Sequence, residues 1–406
     1  MNRHLLTNAR IVTPTENFTG SVSIENGIIT EIIKDRFYEE GVDLRGQWLT
    51  PGVIDIHTDY LERELNPRPG ASFPLPFALH FLDARAAATG ITTVFSALSF
   101  SDNQQKERSL NDALSIARQI DQQRDSLLVR HYLHARIDPN TDGILAHLHE
   151  LLALESLHLL VYNENIPGQR QFTLDFSIER MAKSQGISGE AAREIILAKI
   201  EAAKKVNHRG ILHETFKNKC VIASHDDTTV AHVEEGKAFG ATLSEMPTTL
   251  EAARKARELG LWICMGAPNY YRGGSHCGNL SCVEALQEGL VDILCSDYHF
   301  PTLLASVVRM IEEGLDPSRA VNLVSLNPAK LLSFDKETGS IEAGKRADLV
   351  VFESRGGSAG SFASVSRVFV DGIDKLTCDY GKEATKPREN RSRVGTGETL
   401  TGVAAY

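Results

Sequence analysis

The stretch TPGVIDIHTDYLE ends an apolar run with His57 and Asp59, two positions apart. Side chains two apart on a β-strand leave the same face, so this imidazole and carboxylate can converge on one ion. Residues of the same kind recur near the ends of other apolar runs. Glu164 lies in LHLLVYNEN, His225 precedes Asp226 and Asp227 in KCVIASHDD, Glu245 ends FGATLSEM, and Asp297 follows VDILCS. Imidazole nitrogen and carboxylate oxygen suit zinc, manganese or a similar divalent ion. A lone histidine at a strand end is more often a satisfied, partly buried residue than a ligand. Five strand ends carrying such residues together turn the reading toward metal chemistry.

Something must bring those ends together. From Pro51 onward, apolar runs of five to eight residues alternate with helical stretches, among them helices expected over 103–123 and 142–155. Counting the run that ends at His57, there are eight: the others are GITTVFSAL, LLVRHYLHARID, LHLLVYNEN, KCVIASHDD, FGATLSEM, LWICMGAP and VDILCSDYH. Fully apolar runs fit buried parallel strands, and eight strand–helix repeats predict an α/β fold, a closed (β/α)8 TIM-like barrel, whose active site forms at the C-terminal ends of the strands. Residues 4–33 alternate as short strands, with Asn26-Gly27 placed for a two-residue type I′ hairpin. The β pattern returns in GSIEAGKRADLVVF and VSRVFVDG. The expected domains are therefore a small β-sheet domain from residues 1–50 and 335–378, the barrel over 51–334, and a polar tail over 379–406.

Composition narrows the partners. The chain has 406 residues, 42% hydrophobic and 24% charged, with a net charge of −10. This is ordinary globular composition, and the acidic balance argues against a nucleic-acid backbone as partner. No apolar stretch approaches a membrane span or a signal-peptide core, so the expectation is a cytoplasmic protein with no membrane partner. Disulfides are not expected: the six cysteines lie mostly in apolar runs of a large chain. Cys277 and Cys282 lack the second pair that a structural zinc clip requires. Homo-oligomerisation is left open.

Several motifs go further. PGVIDIHTDYLE, SHDD on the fifth run, SEMPTTLEAA on the sixth, MGAPNYYRGGSH on the seventh, SDYHFP on the eighth, and NPAKLL with GSIEAGKRADLVVF after them resemble the amidohydrolase superfamily over residues 1–375. HTD in place of the usual His-x-His, with ASHDDTT, PTTLEAA and GGSH, resembles the diphosphatases of phosphonate utilisation. The resemblance implies two divalent ions, zinc first and manganese or iron as alternatives. It makes His57, Asp59, His225 and Glu245 ligands, Glu164 a carboxylate bridging the ions, and Asp297 both a ligand and the general base. The implied reaction is hydrolysis of a phosphoanhydride in a ribosyl phosphonate triphosphate, with release of pyrophosphate. The fourth run departs from the subgroup: it reads ENIPGQ where the subgroup has Asp-His-Thr-Pro-Gly-Gln, so Asn165 stands in place of a histidine.

A phosphorylated small-molecule substrate needs cations. Arg68 follows the first strand, Arg170 the fourth, and Arg272 with Gly273, Gly274 and His276 the seventh. A guanidinium binds phosphate through a two-pronged fork, and glycines let backbone N–H groups approach its oxygens. A single loop arginine is ordinarily just solvated; three on the active-site side of one barrel form a candidate phosphate site. Two other functions compete: an amidohydrolase that opens a cyclic amide or deaminates a heterocycle, and a barrel kept as a scaffold without turnover.

Overall fold

The computed structural model describes residues 3–68, 70–101, 109–164, 166–170, 173–356 and 360–380. The expected tail over 379–406 lies outside them beyond Tyr380. Eight parallel strands form the barrel in chain order: Val53–Thr58, Ile91–Ser99, Arg130–Ile137, Leu157–Tyr162, Val221–His225, Leu243–Glu245, Trp262–Gly266 and Ile293–Cys295. Each pairs with the next, as the eight apolar runs predict. Ile54, Phe95, Leu159, Val161, Ala223, Leu243, Cys264 and Ile293 fill the interior. The other strand faces and the helices share a larger outer core. The helix expected over 103–123 is described as Leu110–Gln123, with the Ser109 side chain accepting from the Asp112 N–H at its start. The one expected over 142–155 is a 3-10 turn, Gly143–His147, leading into the short helix Leu148–Ala153.

Closure of the barrel takes a particular form. Among the described residues, the first and eighth strands pair through their backbones at their upper ends, where the Asp297 N–H donates to His57 O (3.0 Å) and the Asp59 N–H to Asp297 O (2.7 Å). Lower down, the chain at Leu323–Val324 fills the seam, its carbonyls accepting from the N–H groups of Leu294 (2.9 Å) and Ile54 (2.8 Å). Asp55 reaches across the same seam to accept the Ser296 N–H at 2.9 Å. Buried among these groups, the Asp55 carboxyl is pushed up to about 7, with the Ser296 contacts working the other way.

The second sheet is mixed and mostly antiparallel. Its strands come from both ends of the chain, and the central pairing of Leu349–Arg355 with Trp48–Pro51 joins the two ends. The hairpin between Asn17–Glu25 and Ile28–Lys34 turns through Asn26 (φ 50°) and Gly27 (φ 84°), the positive pair that a type I′ turn requires. Only Gly52 separates this sheet from the first barrel strand. A Cβ there would come within 2.1 Å of the Thr92 side chain, so the strand can lie against its neighbour only because residue 52 has no side chain.

Arg130 ties the two sheets together. Its guanidinium donates to Asp348 twice (2.6 and 3.1 Å) and to Asp371 (2.5 Å). The Asp348 side chain is 1% exposed. Replacing Arg130 by Met removes the counter-charge of that carboxylate and leaves it the Thr338 hydroxyl and the Asp371 N–H, and we expect a loss of roughly 3 kcal/mol in denaturant unfolding.

Candidate metal centre

The fifth and sixth strands set the first contact of the site. Their register places His225 directly opposite Glu245, and the His225 Nδ1 lies 2.8 Å from Glu245 Oε2. Glu245 is fully buried. From the first strand, His57 brings Nδ1 to 3.0 Å of Glu245 Oε1; from the third, His134 brings Nε2 to 3.7 Å of Oε2. His134 is anchored on its other nitrogen by Ile56 O at 3.0 Å. Three imidazoles thus surround one carboxylate.

These contacts are close without being satisfied. His57 Nδ1, His134 Nε2 and Glu245 Oε1 are all buried and have no hydrogen-bond partner among the described residues, because the His57–Glu245 approach is not aligned as a hydrogen bond. Buried polar atoms are rarely left this way, and three lone-pair donors facing one another fit a cation between them. Burial holds His134 neutral, with its pKa pushed down to about 3, the form that can ligate. Burial would also raise Glu245, but His57 and His134 outweigh it and hold the carboxyl well below its usual range. For His57 burial acts downward and is outweighed by Glu245 and Asp59, which draw a proton onto the ring; an ion that takes Nδ1 displaces it.

Above this lies an acidic mouth. His57, Asp59 and Asp297 form a second group of converging donor atoms, with His57 Nε2 3.6 Å from Asp59. Arg136 spans it, donating to Asp59 Oδ1 (3.1 Å) and facing His225 Nε2 (3.2 Å), which also lies 3.3 Å from Asp226. Burial holds the Asp297 carboxyl above the usual carboxylate range. Asp226, Met246 and Asp297, each just past a strand, take positive φ values of 53°, 55° and 54°. Non-glycine residues adopt that region at a cost of about 1 kcal/mol or more each, and such strain gathers where side chains must be aimed.

The remaining expected residues divide. Arg272, Gly274 and His276 line a cleft that also contains Asp226 and Asp297. Gly273 takes φ 82° at the end of the helix Ala267–Arg272, and the N–H groups of Gly273 and Gly274 donate to Tyr270 O and Asn269 O. The expectation that these amides face phosphate is corrected here: they cap a helix end. Arg68 is exposed and does not line the cleft. Arg170 is not a free loop cation either. Its side chain is buried and donates to Asp227 (2.9 Å), Glu164 (2.6 Å) and the His225 carbonyl (2.7 Å).

Glu164 is the main departure. It belongs to neither group of converging donors, and its carboxylate is paired with Arg170 and Arg209. The reason is local: the fourth strand ends at Tyr162, so Glu164 already lies in the loop, within reach of two guanidiniums. Asn165 lies outside the described residues. Sequence reasoning missed His134 and Arg136. Their signal was present in RHYLHARI, where they have the same two-residue spacing as His57 and Asp59, but they stand inside the strand, which runs on to Ile137. Arg209, buried on a helix, had no such signal.

Comparison with known proteins agrees with this architecture. The sequence profile of the amidohydrolase family matches residues 198–373. The chain is 34% identical over 357 residues to the alpha-D-ribose 1-methylphosphonate 5-triphosphate diphosphatase of Escherichia coli (strain K12), covering 86% of this chain and 94% of that one. It is 23% identical over 381 residues to a dihydroorotase of Clostridium botulinum (strain Eklund 17B), covering 86% and 88%. The crystal structure of a dihydropyrimidinase from Brevibacillus agri superposes with a TM-score of 0.58 at 15% identity, over 92% of this chain and 95% of that one, a likeness of fold.

The placement of Glu164 has a direct test. Glu164→Gln is expected to leave metal content per chain unchanged in elemental analysis, while thermal or denaturant unfolding registers a loss of about 1–3 kcal/mol from the weakened arginine contacts.

Proposed function

The chain belongs to the amidohydrolase family, and from that premise we propose that it is a metal-dependent diphosphatase, cleaving a phosphoanhydride of alpha-D-ribose 1-methylphosphonate 5-triphosphate or a related ribosyl triphosphate. The observation that carries this reading is the cleft itself, where Arg272 and His276 stand on the same wall system as Asp297 and Asp226. A guanidinium for phosphate thus opens directly onto the acidic mouth of the metal centre. The extent of the likeness to the diphosphatase adds to it.

His57, Glu245 and His134 are the residues that would hold a divalent ion, with Asp59 and Asp297 at the mouth above them. The chemistry such an ion supplies is that of a Lewis acid, which makes water a competent nucleophile near neutral pH. Asp297, its proton affinity raised by burial, accepts the proton that water loses. Arg272 grips the outer phosphates, leaving the phosphorus nearest the ribose toward Asp297. Oxygen attacks that phosphorus, the bond to the bridging oxygen breaks, and pyrophosphate leaves with the electron pair. Arg136, beside Asp59 and charged throughout, offsets negative charge gathering at the mouth.

The test is pyrophosphate release by the metal-loaded chain from a panel of ribosyl and nucleoside triphosphates. Asp297→Asn is expected to lower kcat by about 10²–10⁴-fold. Arg272→Ala is expected to raise KM for the triphosphate about tenfold and to change kcat far less. Turnover of a cyclic amide with no pyrophosphate from any triphosphate would replace this reading.

A further inference from the structure

His57 belongs to both groups of converging donors, an inner one with His134 and Glu245 and an outer one with Asp59 and Asp297. Its ring nitrogens divide between them, Nδ1 facing Glu245 at 3.0 Å and Nε2 facing Asp59 at 3.6 Å. A neutral imidazole has one lone pair and carries a proton on its other nitrogen. His57 therefore serves one group or the other as a ligand, and the two groups are alternatives.

Hydrogen bonding separates them. The inner group presents three buried donors without a hydrogen-bond partner among the described residues: His57 Nδ1, His134 Nε2 and Glu245 Oε1. In the outer group, Asp59 Oδ1 already accepts from Arg136. The remaining histidine of the cluster, His225, is occupied on both sides, by Glu245 at Nδ1 and Arg136 at Nε2. One guanidinium thus lies against Asp59 and His225, two of the donors on which a second ion would draw, and an arginine in a protein does not give up its charge.

We propose that the centre binds a single divalent ion through His57, His134 and Glu245, and that Arg136 supplies the positive charge of a second one. Three protein ligands with a further position open is the usual make-up of a catalytic site, so one ion suffices for the chemistry. His134 thereby becomes a ligand that the resemblance to the family does not assign. The inference rests on the metal-dependent reading above for the presence of an ion, and it deepens that reading.

The experiment is a zinc titration of the chelator-stripped full-length protein, with ions per chain counted by elemental analysis after gel filtration. Wild type is expected to saturate at one ion per chain. His134→Ala is expected to weaken binding more than about 100-fold, beyond the effect typical of an outer partner. Asp59→Asn is expected to keep its ion, and Arg136→Ala to admit a second at millimolar zinc. Two ions on wild type, wild-type affinity in a folded His134→Ala, loss of the ion in Asp59→Asn, or one ion at every concentration in Arg136→Ala would each overturn the proposal. Should His134→Ala fail to fold, the wild-type count and the Asp59 and Arg136 variants decide it. No substrate enters the titration, so a chain that binds one ion this way and releases no pyrophosphate would sink the diphosphatase reading and leave the metal assignment standing.

Discussion

A carboxylate with no access to water must be matched by its surroundings, and Glu245 imposes that requirement on the whole barrel. Isolated in an apolar interior, its charge would cost several kcal/mol and the group would take up a proton instead. Three histidines from three different strands answer it, at 2.8 to 3.7 Å. Each can do so only if its strand holds its position relative to the sixth. For His225 that position is set by strand register. For His57 and His134 it depends on the curvature of a closed barrel, which brings strands that are distant in sheet order to face one another across the interior.

Closure is consequently part of the site. Among the described residues, the direct backbone pairing between the ends of the first and eighth strands uses the main chain of His57, Asp59 and Asp297, three residues whose side chains line the mouth. A change that opens the seam would shift those side chains at the same time. Below them the Leu323–Val324 segment completes the seam, and the small sheet, one residue away through Gly52, fixes the entry of the first strand. The small sheet thereby holds the start of the strand that delivers His57.

Charge is distributed with the same economy. The chain is acidic overall, and the arginines nearest the centre are already engaged: Arg136 with Asp59, Arg170 with Asp227 and Glu164, Arg209 with Glu164 and Glu235. They stabilise the acidic site and leave little positive charge to spare. Arg272, at the cleft, is the expected arginine that stays exposed where a substrate would enter. Affinity for a polyphosphate would therefore depend on few contacts and be sensitive to each.

The amino-acid sequence by itself determined the eight strands, the sheet built from both chain ends, the type I′ hairpin, and the arrival of His57, Asp59, His225, Glu245 and Asp297 at strand ends. These follow from periodicity and turn chemistry, which act over a few residues and are written in the order of the chain. Tertiary structure alone decided that Glu164 pairs with arginines, that Arg170 is buried, that Gly273 and Gly274 cap a helix, and that His134 and Arg136 join the centre. Those outcomes depend on where a strand stops and on which side chains meet across a closed barrel. Arg209 and Glu164 are 45 positions apart, and Asp59 and Arg136 are 77, so no local pattern encodes their contact. Spacing along a strand says which way a side chain points, and the rest of the fold decides what it meets there.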